Sequence, residues 1–465
     1  MTLPTSISRR RFLQSAGAVT AGAAGLHGRL ALTSQLHGAH PLAARRTHFA
    51  PRAKRLVFIF LTGGMSHVDT FDYKPDLKTD RGKTVQGSNS VLGTMYLIPS
   101  RYRFRRHGQS GIAVSELFPH LGGLADDLCV INSMHTDHLE HFQATLAMHT
   151  GSTTVPMPGF GAWVSYAMGT TNRNLPAHAV LASEMPYAGS QNWDCNFLPA
   201  YHQGTRIEPG EEPVPNLRSP VQSVTLRELE QRMLRDVNQR HVGLRPGDLN
   251  LSARMESFKT ARGLMDEAPG IFDVATETRA TLGSYGTSNS DNRSFGWQCL
   301  IARRLIERGV RVVELFHRGA DENTNWDHHY DVGKLTGVSQ QVDRPVAALI
   351  SDLKLRGLLD DTLVVIATEF GRTPYERTRN HTGRNHHKDA FTCLLAGAGV
   401  KGGHVHGHSD EYGLTVAEDG VHIHDLHATM LYLLGLDHTE LTYRYSGRDF
   451  RLTDVYGNVV TEILV

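Results

Sequence analysis

From residue 55 onward the chain alternates between short, uninterrupted apolar runs and longer stretches in which apolar side chains recur every three or four positions. Leu56 to Leu61 (LVFIFL) is apolar throughout and ends at Thr62-Gly63-Gly64. A run of that length closed by a turn signal predicts a strand buried on both faces, as in parallel sheets. Phe295 to Arg308 sets Trp297, Leu300, Ile301, Leu305 and Ile306 at helical spacing, and Val310 to Phe316 then reads as a strand. Val342, Val346, Leu349, Ile350 and Leu353 mark another helix. Thr362 to Thr368 (TLVVIAT) marks another buried strand, and Phe391 to Leu395 a shorter one. His424 to Leu436 closes the series as an amphipathic helix, with Asp425 expected at its N-cap. Helices alternating with apolar strands predict an α/β domain with a largely parallel central sheet flanked by helices. The pattern fades from about Thr170 to Asn292, which is rich in Pro, Gly, Asn and charge apart from a helical patch at Val224 to Asn238. That region is expected to be an insertion or cap on the sheet, with Gly283 to Asn292 (GSYGTSNSDN) a flexible linker.

The amino terminus has a different character. Ser8-Arg9-Arg10-Arg11-Phe12-Leu13 is followed by an Ala/Gly-rich stretch to about Leu26 with no acidic residue. This is the layout of a twin-arginine secretory signal, too short and Gly-rich to span a membrane permanently. Residues 1 to about 50 are therefore expected to be a leader, and 51–465 the folded domain. The expected location is the periplasm or cell envelope, with the twin-arginine translocase as a partner. Setting aside residues 1–55, with nine Lys and Arg and no acid, leaves 39 basic against 47 acidic residues, a net charge of −8. A mildly acidic domain lacks the basic footprint that nucleic acid requires. Four cysteines in 465 residues make no disulfide framework; Cys129 and Cys393 lie in apolar runs and read as buried thiols.

The 27 histidines cluster between Met134 and His149, between His317 and His329, and between His381 and His427. Histidine is the commonest metal ligand and the side chain that titrates near neutrality. In open α/β sheets ligands bind beyond the carboxyl ends of the strands, which selects Gly63 to Asp72, then His317 with Trp326 to His329, then Glu369 to Pro374. Carboxylates and imidazoles at several strand ends suit a divalent ion such as Zn, Mn or Ca. His404, His406 and His408 read as a solvated loop, and His424 and His427 as cap and packing residues. His67, His135 and His138 are further candidates near strand ends.

These segments resemble a known superfamily. Gly357 to Gly371 (GLLDDTLVVIATEFG) is similar to the sulfatase segment that runs through a strand into Asp-His-Gly. Asp425 to Gly435 is similar to the late sulfatase helix, and His141 to Gly151 has the spacing of the sulfatase nucleophile helix. Within this alkaline-phosphatase-like superfamily, residues 50–465 look like the family called domain of unknown function 1501, whose members carry twin-arginine signals. The motifs are Gly63-Gly64 with Asp69-Thr70-Phe71-Asp72, Glu369-Phe370-Gly371-Arg372-Thr373, Gly383-Arg384-Asn385-His386, and His422 to Gly435.

The resemblance implies an alkaline-phosphatase-like fold and a divalent metal site on Asp69, Asp327, His329, Glu369 and His386. Phe370 stands where the motif's histidine would be and cannot bind a metal. His141 stands where the superfamily has its Ser, Thr or Cys nucleophile, and no Cys-x-Pro-x-Arg is present, so no formylglycine forms. His141 is left with a ligand role beside a metal-bound hydroxide, a nucleophilic role through a phosphohistidine, or a structural one. Arg372 and Arg384 are expected either to hold an anionic substrate bidentately or to form structural salt bridges. The functional expectation is an exported metal-dependent hydrolase of phosphate or sulfate esters, acting through metal-bound water on an anionic small molecule or glycan. The alternative is a non-catalytic envelope-binding or scaffolding protein that retains the fold.

Overall fold

A computed structural model describes residues 42–86, 94–217, 221, 223–245, 248–319 and 325–465; the expected twin-arginine motif lies outside them. The centre is a nine-stranded sheet. Its strands are β1 (Arg55–Leu61), β2 (Leu128–His135), β3 (His178–Ala182), β4 (Thr205–Ile207), β5 (Val312–His317), β6 (Thr362–Ala367), β7 (Phe391–Ala396), β8 (His404–His406) and β9 (Val421–His422). They lie in the order β8-β2-β7-β6-β1-β5-β3-β4, with β9 also beside β2. Of these nine, β7 alone runs against its neighbours, β6 and β2; every other pairing is parallel. The mostly parallel α/β sheet read from the apolar runs is thus the observed architecture.

The strand alternation assigns each face a core. Val57, Ile59 and Leu61 of β1 point into one, shared with α5 (Phe295–Glu307) and α6 (Leu335–Leu355) through Leu300, Leu305, Val346 and Leu349. Leu56, Phe58 and Phe60 point into the other, shared with α2 (Phe160–Met168) and α7 (Ile423–Leu433). The two remaining long helices, α3 (Val224–Gly243) and α4 (Leu249–Phe272), lie in the middle region, and α1 (His141–Thr150) follows β2. Among the described residues no helix is long and apolar enough to cross a membrane.

Three details differ from the sequence reading. The stretch expected to be an insertion over about 170–292 contributes β3 and β4 to the central sheet, and its Leu264, Ile271 and Tyr285 enter the first core. Its short apolar run HAVLA (178–182) is surrounded by Pro, Gly and Asn, which masks a strand of this length. His404 and His406 form edge strand β8 rather than a solvated loop. The N-cap of α7 is His422; Asp425 sits three residues on and completes a capping box by accepting the His422 backbone N–H at 2.9 Å.

Candidate metal centre

Three adjacent parallel strands, β6-β1-β5, deliver their carboxyl ends to one place. After β1 comes Gly63-Gly64, with φ of 122° and 82°. A Cβ on Gly63 would lie 2.7 Å from the backbone nitrogens of Trp326 and Asp327, so the glycine permits the loop after β5 to cross the end of β1. That loop carries Asp327 and His329. After β6 come Glu369, Phe370 and Arg372. The two-residue strand Gly371–Arg372 pairs antiparallel with His386–His387, setting His386 opposite Arg372. His141 is the first residue of α1, which follows β2 in the chain.

Four donors converge here: one ligand atom from each of His141, Asp327, His329 and His386, all within 4.8 Å of one another. Asp327 Oδ1 is 2.9 Å from His329 Nε2 and 3.5 Å from His386 Nε2, and Asp327 Oδ2 is 3.2 Å from His141 Nε2. Donors bound at about 2.0–2.1 Å to a tetrahedral ion stand about 3.3 Å apart, so these spacings match a shared ion. The other ring nitrogens establish the tautomers. His386 Nδ1 donates to the Leu139 carbonyl at 2.7 Å, His141 Nδ1 to Glu369 Oε1 at 2.7 Å, and His329 Nδ1 to Asn385 Oδ1 at 3.1 Å. Asn385 is itself oriented by donating its amide to Glu376 at 2.7 Å. In their neutral form all three imidazoles therefore turn an Nε2 lone pair toward the same point. The Nε2 atoms of His329 and His386 are 3.0 Å apart; two lone pairs that close repel unless a proton or cation lies between them. The residues present thus fit a divalent ion, with the backing hydrogen bonds typical of metal-binding histidines.

The electrostatics agree. Burial alone would raise the Asp327 pKa, but the facing imidazoles of His141, His329 and His386 and the Arg372 charge hold it well below the usual carboxylate range. Burial lowers the His141 pKa, and the Asp327 and Glu369 carboxylates more than offset this, leaving it raised. His386 is lowered, first by burial. Tyr187 stacks on His141 with ring centroids 4.3 Å apart, and its phenol is pushed up to about 12 by burial and by Asp327 and Glu369. Phe370 packs on both His141 and His386, at 4.8 and 4.6 Å, as an apolar wall.

The other expected site residues have different neighbours. Glu369 is fully buried behind His141, accepting the Gly63 N–H at 2.8 Å as well as the imidazole, and backs the cluster without joining it. Asp69 is fully buried and accepts from Arg384 Nε and Ser66 Oγ, each at 2.6 Å. Burial raises its pKa, but Arg384 brings the net value below the ordinary one. Asp69 is thus the counter-ion of Arg384 and lies outside the four-donor cluster, because the guanidinium occupies both carboxylate oxygens. Arg384 also donates to the Thr373 and Ile98 carbonyls at 2.9 and 3.2 Å. Arg372 is 2% exposed and donates to the Gly63, Gly64 and Arg384 carbonyls and to Asp327. Both arginines, expected to hold substrate, therefore face protein acceptors. His317 accepts from Trp326 Nε1 at 3.1 Å and lies outside the cluster. Tyr187 and the tautomer-setting role of Asn385 were missed. Asn385 sits inside the Gly383-to-His386 motif, a usable signal, whereas nothing in the Pro/Gly-rich middle region marks Tyr187.

Fold and site together define an α/β protein with a three-histidine, one-aspartate cluster at the carboxyl ends of its parallel strands. The chain belongs to the family described as Protein of unknown function (DUF1501), which it matches over residues 53–464. Comparison with curated proteins gives no match. Solved structures similar to this chain include the sulfatase PsFucS1 from Pseudoalteromonas sp. (12% identical, TM-score 0.32, covering 86% of this chain and 75% of that one). The lipoteichoic acid synthase LtaP from Listeria monocytogenes is 10% identical at a TM-score of 0.35, covering 88% and 78%. A protein in the alkaline phosphatase superfamily from Vibrio parahaemolyticus is 10% identical at 0.35, covering 86% and 71%.

Proposed function

We infer that this chain is an exported hydrolase of phosphate or sulfate esters, dependent on a divalent ion held by His141, Asp327, His329 and His386. The observation that carries this reading is the set of three Nδ1 hydrogen bonds that leave three Nε2 lone pairs aimed at one point beside Asp327. Three nitrogens against one carboxylate favour Zn²⁺ or Mn²⁺ over Ca²⁺, which prefers oxygen. A bound ion of this kind supplies Lewis acidity toward an ester oxygen and lowers the pKa of water.

The protein's own residues supply the rest. In its neutral form His141 has one lone pair, at Nε2, because Glu369 accepts a hydrogen bond from Nδ1–H. Its convergence with three other donors favours a ligand role for that lone pair over nucleophilic attack. Arg372 balances the charge of Asp327, so the loaded centre keeps a net positive charge and attracts an anionic ester. Tyr187 keeps its phenolic proton at neutral pH and offers a hydrogen bond beside His141.

The test combines metal analysis of the purified protein with assays on p-nitrophenyl phosphate, its diester and p-nitrophenyl sulfate. The expected result is a stoichiometric ion, lost in His386→Ala, and metal-dependent turnover of at least one ester. Unchanged metal content in His386→Ala would remove the site assignment. A loaded protein inert toward every ester would instead favour the envelope-binding or scaffolding reading.

A further inference from the structure

At the opposite edge of the sheet, where β1 and β5 begin, lies a cavity of about 470 Å³ lined by Arg45, Arg46, Lys54, Arg55 and Arg311 and by no acidic residue. Arg55 opens β1 and Arg311 immediately precedes β5. A seven-residue strand spans roughly 20 Å, so this cavity is separate from the metal centre at the other end of β1.

Arg311 is the anomaly. It is 8% exposed, and its guanidinium donates only to backbone carbonyls, Gly169 at 2.8 Å and Lys54 at 3.2 Å. Among the described residues no carboxylate pairs with it. A buried guanidinium without a counter-ion is unfavourable. The neighbouring cations compound the problem: Lys54 and Arg55 share one carboxylate, Asp361. Arg46 is exposed at the rim. Arg311, with no carboxylate partner among the described residues, thus lines one concavity with Lys54 and Arg55, which share Asp361, and with the exposed Arg46.

We propose that this cavity is a binding site for a phosphate group, which supplies the missing negative charge. Guanidinium groups match the oxygens of a phosphate bidentately, and several converging cations suit a group carrying more than one charge. The phosphate belongs either to a soluble ion or to the headgroup of an anionic lipid. The inference does not depend on the hydrolase reading.

Thermal unfolding of the purified chain with inorganic phosphate or pyrophosphate, against chloride at equal ionic strength, reads the soluble source. Co-sedimentation with phosphatidylglycerol vesicles, against phosphatidylcholine, reads the lipid source. Using His386→Ala as the background removes binding at the metal centre. The expected result is a rise in Tm, or selective pelleting with phosphatidylglycerol, that Arg311→Met abolishes. Because Arg311→Met removes two buried hydrogen bonds, Arg46→Ala, at an exposed position, serves as the second variant and is expected to weaken binding about tenfold. A Tm rise without vesicle binding identifies a soluble phosphate, and Arg46-dependent pelleting identifies a headgroup. No response to either probe overturns the proposal, as does a response that both variants retain.

Discussion

Asn385 is not among the converging donors, yet its side-chain oxygen decides which nitrogen of His329 carries the proton. With the amide turned by Glu376, the carbonyl accepts from Nδ1 and leaves Nε2 facing the cluster. The Leu139 carbonyl does the same for His386, and Glu369 for His141. If this backing matters, Asn385→Leu should weaken metal affinity about 10–100-fold without changing the fold, as read by competition with a chromogenic chelator. Unchanged affinity would mean that the His329 tautomer is set by something else. The same scale explains why Asp69 and Arg384 read as site residues: each lies in a motif beside a strand end, and the sequence carries no sign that one neutralises the other.

At the scale of elements, the site exists because β6, β1 and β5 are parallel neighbours and because the turn after β1 has no side chain to obstruct the loop after β5. Gly63 combines a φ of 122° with a would-be Cβ 2.7 Å from backbone atoms of Trp326 and Asp327. Gly63→Ala is therefore expected to destabilise the protein by about 3 kcal/mol through strain and loop displacement. It should also lower metal affinity, since Asp327 moves with the loop. Thermal denaturation and chelator competition measure the two effects; a Tm within a degree of wild type would contradict the packing described. The pairing of Gly371–Arg372 with His386–His387 acts similarly, because it places Arg372 next to the aspartate whose charge it balances.

At the scale of the whole molecule, the histidine content has a consequence for stability. His67, His202, His317 and His427 are buried, and burial lowers their pKa values, to about 4 for His67 and His317 and about 3 for His202 and His427. In the unfolded chain each titrates near about 6.5. Between those values the unfolded state binds more protons, so the stabilising contribution is complete above pH 6.5 and is lost as pH falls toward 4. Each group contributes a slope of about 1.4 kcal/mol per pH unit in that window. Tm measured from pH 7 to pH 4 should fall steeply; a flat profile down to pH 5 would show that these histidines are not buried neutral. By itself the sequence determined the apolar strands, the main helices, the mostly parallel sheet, and the strand-end positions of Asp327, His329 and Glu369. Those features follow from local periodicity and from turn residues, which are written in neighbouring positions. Only the tertiary structure decided that Asp69 answers Arg384, that Glu369 stands behind His141, and that Arg311 meets no carboxylate among the described residues. Each of these rests on the through-space pairing of charges contributed by distant segments, which no local pattern encodes.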